Sequence, residues 1–204
     1  AISGQYPPGS TYKLIVAAAA LEEGIISPET KIFCNGFFTL GNRTYRCWKK
    51  GGHGHVNLHQ AMVGSCDVYF YTVGKMLGVD KIAEYAKRFG LGDLAGVDLP
   101  NEKKGLVPTK AWKLKKKKEA WQMGETISIS IGQGFNLVTT LQLANAYAAF
   151  ANGGTLWRPY LVKKIDAPDG KTYKDFPPVK KGELKLSNTT MDIINDALKA
   201  VVNE

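Results

Sequence analysis

Ser10 and Lys13 stand three residues apart at the start of an apolar, alanine-rich segment. On a helix that spacing puts both side chains on one face. A serine hydroxyl becomes a useful nucleophile only when a base takes its proton and a positive potential meets the developing alkoxide. A lysine can serve as that base when burial or nearby cations favour its neutral form, and the run Leu14-Ile15-Val16 would bury Lys13. The N-terminus of a helix, equivalent to roughly half a positive charge, supplies the potential. The pair therefore suits acyl transfer through a serine ester. Serine is equally a favoured N-cap, so the tetrapeptide alone does not separate a nucleophile from a cap.

A second set of reactive side chains follows. The three cysteines, Cys34, Cys47 and Cys66, fall close together, with His53 and His55 between the second and the third. Around a turn at Gly41-Asn42, Cys34 and Cys47 come out as diagonal cross-strand neighbours, near enough to share a ligand. With Cys66 and one histidine they make Cys₃His, a composition typical of structural zinc. The alternative is a Cys34–Cys47 disulfide with Cys66 as a small buried thiol.

The elements that must position these groups can be read from pattern. Tyr6-Pro7-Pro8-Gly9 is a loop signal, and the stretch to Glu23 has high helix propensity, ended by Gly24. Ser10 therefore falls at a helix N-terminus. Residues 36–47 read as a β-hairpin, and 49–55 as an irregular glycine-rich loop. Asn57 caps a helix over 58–63, and a further helix runs over 68–77, with Ser65-Cys66-Asp67 at the junction. Asp80 starts a helix ending near Phe89. Residues 96–118 read as a polar loop, and 126–131 as a short strand ending at Gly132-Gln133-Gly134. A buried helix spans 137–151. Two strands, 157–165 and 171–176, flank Asp169-Gly170, and a last helix begins at Asn188 or Thr189. The order is helices first with hairpins inserted, an α+β, mainly helical chain without βαβ alternation. Gly132-Gln133-Gly134 is accordingly no dinucleotide loop.

Composition excludes several classes. The 204 residues are 44% hydrophobic and 22% charged, ordinary for a globular domain. No apolar run reaches the length of a membrane span, and Ala1-Ile2-Ser3-Gly4 does not open a signal peptide. The formal charge of +9 suits anionic surroundings. Much of it lies in Lys110–Lys118, which reads as a solvated loop. No nucleic-acid-binding motif accompanies it.

Tyr6-Pro7-Pro8-Gly9-Ser10-Thr11-Tyr12-Lys13 resembles the active-site motif of class B penicillin-binding proteins, first of the Ser-x-x-Lys, Ser-x-Asn and Lys-Thr-Gly set. Ser65-Cys66-Asp67 stands as the second element, followed by the aromatic Val68-Tyr69-Phe70-Tyr71. Gly96-Val97-Asp98-Leu99-Pro100, Gly105-Leu106-Val107-Pro108 and the block from Ile131-Gly132-Gln133-Gly134 to Asn152-Gly153-Gly154 match in order. Trp48-Lys49-Lys50 with Gly52-His53-Gly54 is similar to the elongation-type subgroup. Asp67 replaces the wider family's Asn, as in that subgroup, and Thr140 stands where the family usually has proline. No Lys-Ser/Thr-Gly triplet occurs; Lys171-Thr172 is followed by Tyr173.

The resemblance implies the fold of penicillin-binding transpeptidases and serine β-lactamases. It implies a partial transpeptidase domain over 1–204 without the later strands that carry Lys-Thr-Gly. Within it fall an inserted hairpin and Gly/His loop (34–55), a Lys-rich loop (103–120) and a hairpin region (155–180). It implies a peptidoglycan D,D-transpeptidase of cell elongation and shape, in which Ser10 attacks the penultimate D-alanine carbonyl of a stem pentapeptide. Lys13 would be its base, Ser65 a proton relay to the leaving amine, and Asp67 the group orienting Lys13 and the substrate amide. The Ser10 N–H would supply half an oxyanion hole. β-Lactams would acylate the same serine. No Glu-x-x-Leu-Asn context marks a deacylating glutamate. No cofactor is implied for catalysis; the metal set becomes Cys34, Cys47, His53 and Cys66, because His53 lies in the shared Gly-His-Gly segment. The implied partners are stem peptides, β-lactams and elongation-complex membrane proteins, with no nucleic acid. The implied location is the periplasmic face of the inner membrane, reached through an anchor outside these residues.

Overall fold

Helix α1 (Lys13–Glu22) organises the chain, as a computed structural model describing residues 1–203 shows. Every residue from Lys13 to Ala20 is buried, and the four successive alanines allow neighbouring backbones to approach closely. A helix apolar on all faces needs partners all round. They are helices α3 (Asp67–Leu77), α4 (Val79–Arg88) and α8 (Asn188–Asn203). Helix α2 (Leu58–Val63), closed by an Asn57/Gln60 capping box, packs on α8 and leads into α3 through residues 64–66. The start of α8 is fixed from α1: the Glu22 carboxylate accepts hydrogen bonds from the Ser187 N–H (2.9 Å) and hydroxyl (2.7 Å).

Among the described residues strands occur as five two-stranded antiparallel ribbons, with no continuous sheet. β3 (Phe37–Leu40) and β4 (Arg43–Arg46) form the hairpin about Gly41-Asn42. β2 (Ile32–Cys34) pairs with β5 (Gly54–Val56), not with β4. This alters the geometry expected of the first two cysteines: Cys34 lies opposite Gly54, whereas Cys47 follows β4 and bonds through its N–H to Gly36. β1 (Gln5–Tyr6) pairs with β6 (Val138–Thr139), immediately before helix α7 (Thr140–Ala151). Thr139 is the N-cap of α7 and Thr140 its first residue, a position where threonine and proline are both tolerated.

Two segments differ from the sequence reading. Residues 110–117 are not a loop: helix α5 (Lys110–Lys117) is capped by Thr109 and turns Lys113 inward, onto Glu125 (2.5 Å) and Glu119 (3.5 Å). Lysine has good helix propensity, and two acids placed to receive Lys113 relieve the charge run. Residues 126–131 are not a strand: helix α6 (Met123–Ile129) contains most of them. The Thr-Ile-Ser-Ile alternation has period two, but the Gln122/Glu125 capping box and packing against α3 decide for the helix. Beyond α7, β7 (Thr155–Trp157) pairs with β10 (Lys180–Glu183), and β8 (Lys164–Asp166) with β9 (Thr172–Asp175). The expected strand over 157–165 is thus interrupted, and one ribbon is nested within another. Among the described residues no helix is long and apolar enough to cross a membrane.

Candidate active site

Ser10 lies in a turn of 3₁₀ helix, Gly9–Tyr12, that runs directly into α1. Its side is exposed while Tyr12 and Lys13 behind it are buried. Two contacts from the far end of the chain hold the turn. The Gly9 N–H bonds to the Gly132 carbonyl at 3.0 Å, and the Tyr147 hydroxyl donates to the Thr11 carbonyl at 2.9 Å. Gly132 has φ 71°, and a Cβ there would come within 2.2 Å of the Gly9 oxygen. The approach of these two loops requires glycine at 132.

The Lys13 ammonium is the hub of the site. It donates to Asp67 Oδ1 (2.7 Å), Ser65 Oγ (3.0 Å) and the Ser65 carbonyl (2.9 Å), which uses all three of its N–H groups. Its side chain is only 4% exposed, and it also lies 5.5 Å from the Phe70 ring centre. The Ser65 hydroxyl in turn donates to Ser10 Oγ at 3.1 Å. The hydrogen-bonded route from Ser10 to Lys13 therefore passes through Ser65, although the two are three residues apart on one helical segment. Asp67 opens α3, where a negative charge complements the helix dipole. Its second oxygen accepts the Trp48 N–H at 3.1 Å.

Ser65 itself is held in a conformation that side chains rarely adopt, φ 47°. Such strain costs on the order of 1–3 kcal/mol and persists only where surrounding contacts impose it. Here they are the Trp48 indole N–H, shared between the carbonyls of Gly64 (3.0 Å) and Ser65 (3.1 Å), and the Lys13 bond already described. Ser10, Ser65 and Asp67 open onto a cleft of about 730 Å³ that Arg46, Trp48, Tyr71 and Gln133 also line. Arg46, Tyr71 and Gln133 were not singled out from sequence. Gln133 was legible only as the centre of its Gly-Gln-Gly block, and Tyr71 as part of the aromatic start of α3.

Beside the cleft, Cys34, Cys47, His53 and Cys66 bring their ligand atoms within 4.8 Å of one another. His53 Nδ1 lies 3.6 Å from both Cys34 Sγ and Cys47 Sγ. His53 Nε2 meets the Gly64 carbonyl at 3.0 Å, which sets Nε2 as the protonated nitrogen and leaves Nδ1 a lone pair facing the sulfurs. All three thiols are free and buried. Burial, with Cys34 and Cys47 alongside, pushes the Cys66 thiol up to about 12, and burial pushes His53 below its ordinary range. The loop that delivers His53 passes close to β2. Gly52 has φ 74°, and a Cβ on it would fall 2.1 Å from the Cys34 carbonyl.

The family model for the penicillin-binding protein transpeptidase domain matches residues 1–204. The chain belongs to this family. The curated relatives include the peptidoglycan D,D-transpeptidase MrdA of Acinetobacter baumannii, 40% identical over 205 residues, covering 95% of this chain and 30% of that protein. The chain thus spans about a third of the length of the curated relatives it matches. Among solved structures, Pseudomonas aeruginosa PBP2 in complex with WCK 5153 superposes with a TM-score of 0.88 at 37% identity, over 99% of this chain and 46% of that one. Helicobacter pylori PBP2 in complex with MreC gives 0.81 at 34%, over 97% of this chain and 34% of that one. Within the penicillin-binding transpeptidase fold, Ser10, Lys13, Ser65 and Asp67 converge from the first turn of one core helix and the junction before another.

Proposed function

We propose that this chain is the acylating part of a peptidoglycan D,D-transpeptidase of the elongation type, and that Ser10 carries the acyl group. The observation that supports this most directly is the chain of hydrogen bonds Ser10–Ser65–Lys13–Asp67 at the floor of an open cleft. Ser10 Oγ attacks the penultimate D-alanine carbonyl of a stem pentapeptide. Its proton passes through Ser65 to Lys13, which serves as base only once its ammonium has given up a proton, and the Ser10 N–H faces the developing oxyanion. The C–N bond to the terminal D-alanine breaks, and the proton returns by Ser65 to the departing amine. An amine of a second stem then attacks the ester and regenerates Ser10, leaving a cross-link. Asp67 keeps Lys13 in register and holds the backbone at Trp48. β-Lactams would acylate the same hydroxyl. The relatives' names support the reaction and an MreC-type partner, and a wall-building reaction of this kind belongs on the periplasmic side of the inner membrane. Labelling by a fluorescent penicillin, abolished in Ser10→Ala, is the expected result. Label that persists in the variant removes Ser10 as nucleophile, and label lost from the wild type within minutes indicates a hydrolase.

The cysteine cluster supports a second proposal, a structural zinc held by Cys34, Cys47, His53 and Cys66. In a tetrahedron with Zn–S of about 2.3 Å and Zn–N of about 2.05 Å, sulfur and nitrogen sit about 3.6 Å apart, the separation found for both His53 contacts. The backbone acceptor on Nε2 is the usual outer partner of a ligating histidine. The ion would supply no chemistry to the acyl transfer. It would tie Cys66, between Ser65 and Asp67, to Cys47, next to Trp48. Elemental analysis is expected to give one zinc per chain, with loss of thermal stability on chelation. Metal-free protein of unchanged stability refutes it.

A further inference from the structure

Among the described residues Arg46 and Lys50 are cations without acids. Among the described residues neither side chain has an ion pair, hydrogen bond or aromatic partner, whereas nearby Arg43 lies over the Tyr45 ring. Both line a hollow of about 420 Å³ with Gly36, Phe37 and Thr44. Arg46 and Cys47 belong to the walls of this hollow and of the cleft containing Ser10, so the two form one continuous groove. Asp67 is the single carboxylate on that groove, and both its oxygens are engaged, one by Lys13 and one by the Trp48 N–H. An anion entering the groove therefore meets two free cations and no free competing acid.

The backbone behind Arg46 is fixed. It ends β4 opposite Phe37, its carbonyl accepts the Tyr71 hydroxyl at 3.1 Å, and the next N–H bonds to Gly36 at 2.8 Å. A guanidinium on a rigid strand end offers a planar fork that matches a carboxylate. Phe37 and Trp48, 46% and 63% exposed, add apolar faces on which an aliphatic stem can lie.

We propose that this hollow is a carboxylate subsite, in which Arg46, aided by Lys50, holds a carboxylate that the peptide substrate carries away from the bond attacked by Ser10. The proposal rests on the reading of the cleft as a stem-peptide site. The carboxylate belongs to the donor peptide or to the acceptor, and its chemistry is the same in both.

Calorimetric titration distinguishes the two sources. The donor probes are pentapeptides ending in D-Ala-D-Ala whose third residue carries a side-chain carboxylate or its carboxamide, titrated into Ser10→Ala protein. The acceptor probes are a matching pair with a free side-chain amine on the third residue and no D-Ala-D-Ala end. The acid is expected to bind roughly tenfold tighter than the amide in one pair, about one charge-assisted hydrogen bond. That pair identifies the source. Arg46→Gln should bring the acid-to-amide ratio to near one, and Lys50→Gln should lower it in part. Lys75→Gln, on the exposed side of α3, should leave the ratio unchanged. Equal binding within each pair, absence of binding by all four peptides, or a preference that survives Arg46→Gln overturns the proposal. Fluorescent-penicillin labelling of the unmodified protein is read separately. Its failure would sink the transpeptidase reading, while an acid preference abolished by Arg46→Gln would still establish the subsite.

Discussion

Asp67→Asn is the sharpest perturbation of the site because it changes a charge and almost no volume. In the native structure Lys13 and Asp67 form a 2.7 Å ion pair with side chains 4% and 13% exposed. Removing one partner of a buried pair typically costs about 3–5 kcal/mol, mostly the penalty of leaving the other charge uncompensated. Asparagine keeps an oxygen for Lys13, and Ser65 still offers two acceptors, which places the expected loss near the lower end of about 3 kcal/mol. The lost negative charge at the start of α3 contributes a further few tenths, on the order of 0.3–1 kcal/mol. Urea unfolding at neutral pH measures the sum. A double-mutant cycle with Lys13→Met then isolates the pair. Once the cation is gone, Asp67→Asn should cost at least about 2 kcal/mol less than it does alone. An Asp67→Asn protein within about 0.5 kcal/mol of wild type, or strict additivity in the cycle, would refute the idea that this pair carries an uncompensated charge when broken.

Gly132→Ala is expected to destabilise by about 2 kcal/mol or more, combining a left-handed backbone with a Cβ driven against the Gly9 oxygen. Denaturation and penicillin labelling should both register it, since the contact sets the turn that carries Ser10. Glu22 provides a pH dependence. Burial raises its carboxyl, but hydrogen bonds from Thr190 and Ser187 outweigh this and hold it below the ordinary glutamate range. A depressed folded value means stability that is present above the unfolded glutamate value and is lost as pH falls through and below it. Glu22→Gln should therefore be less stable than wild type at neutral pH, with the gap narrowing below about pH 4. A gap that is constant with pH would contradict the assignment.

Much of the site was legible because its signals are local. Ser10 before an alanine-rich helix, Asn57 as a cap and Gly41-Asn42 as a hairpin turn each depend on a few neighbouring residues, and the structure shows the corresponding elements. The misread segments are those where partners distant in sequence decide. Lys113 makes sense inside a helix only once Glu119 and Glu125 are seen to receive it. Residues 126–129 alternate like a strand, yet their packing against α3 sets a helical period. Cys34 reached its neighbourhood through pairing of β2 with β5, a register that no turn signal announces. Arg46 could not have been selected from its type and position, because its interest lies in the partners it lacks.

Helix α1 is buried from Lys13 to Ala20; the turn before it reaches solvent, and Leu21 and Glu22 at its far end are half-buried. Its alanines have no room to grow, so inheritable change there is nearly closed off. The opposite rim, Phe37 to Lys50, is exposed at most positions, which leaves its side chains other than Arg46, Cys47, Trp48 and Lys50 room to vary. Lineages under pressure from an inhibitor should thus leave Ala17–Ala20 unaltered and accumulate substitutions along that rim. The chemistry would be inherited almost as a fixed part, and ligand preference would drift around it.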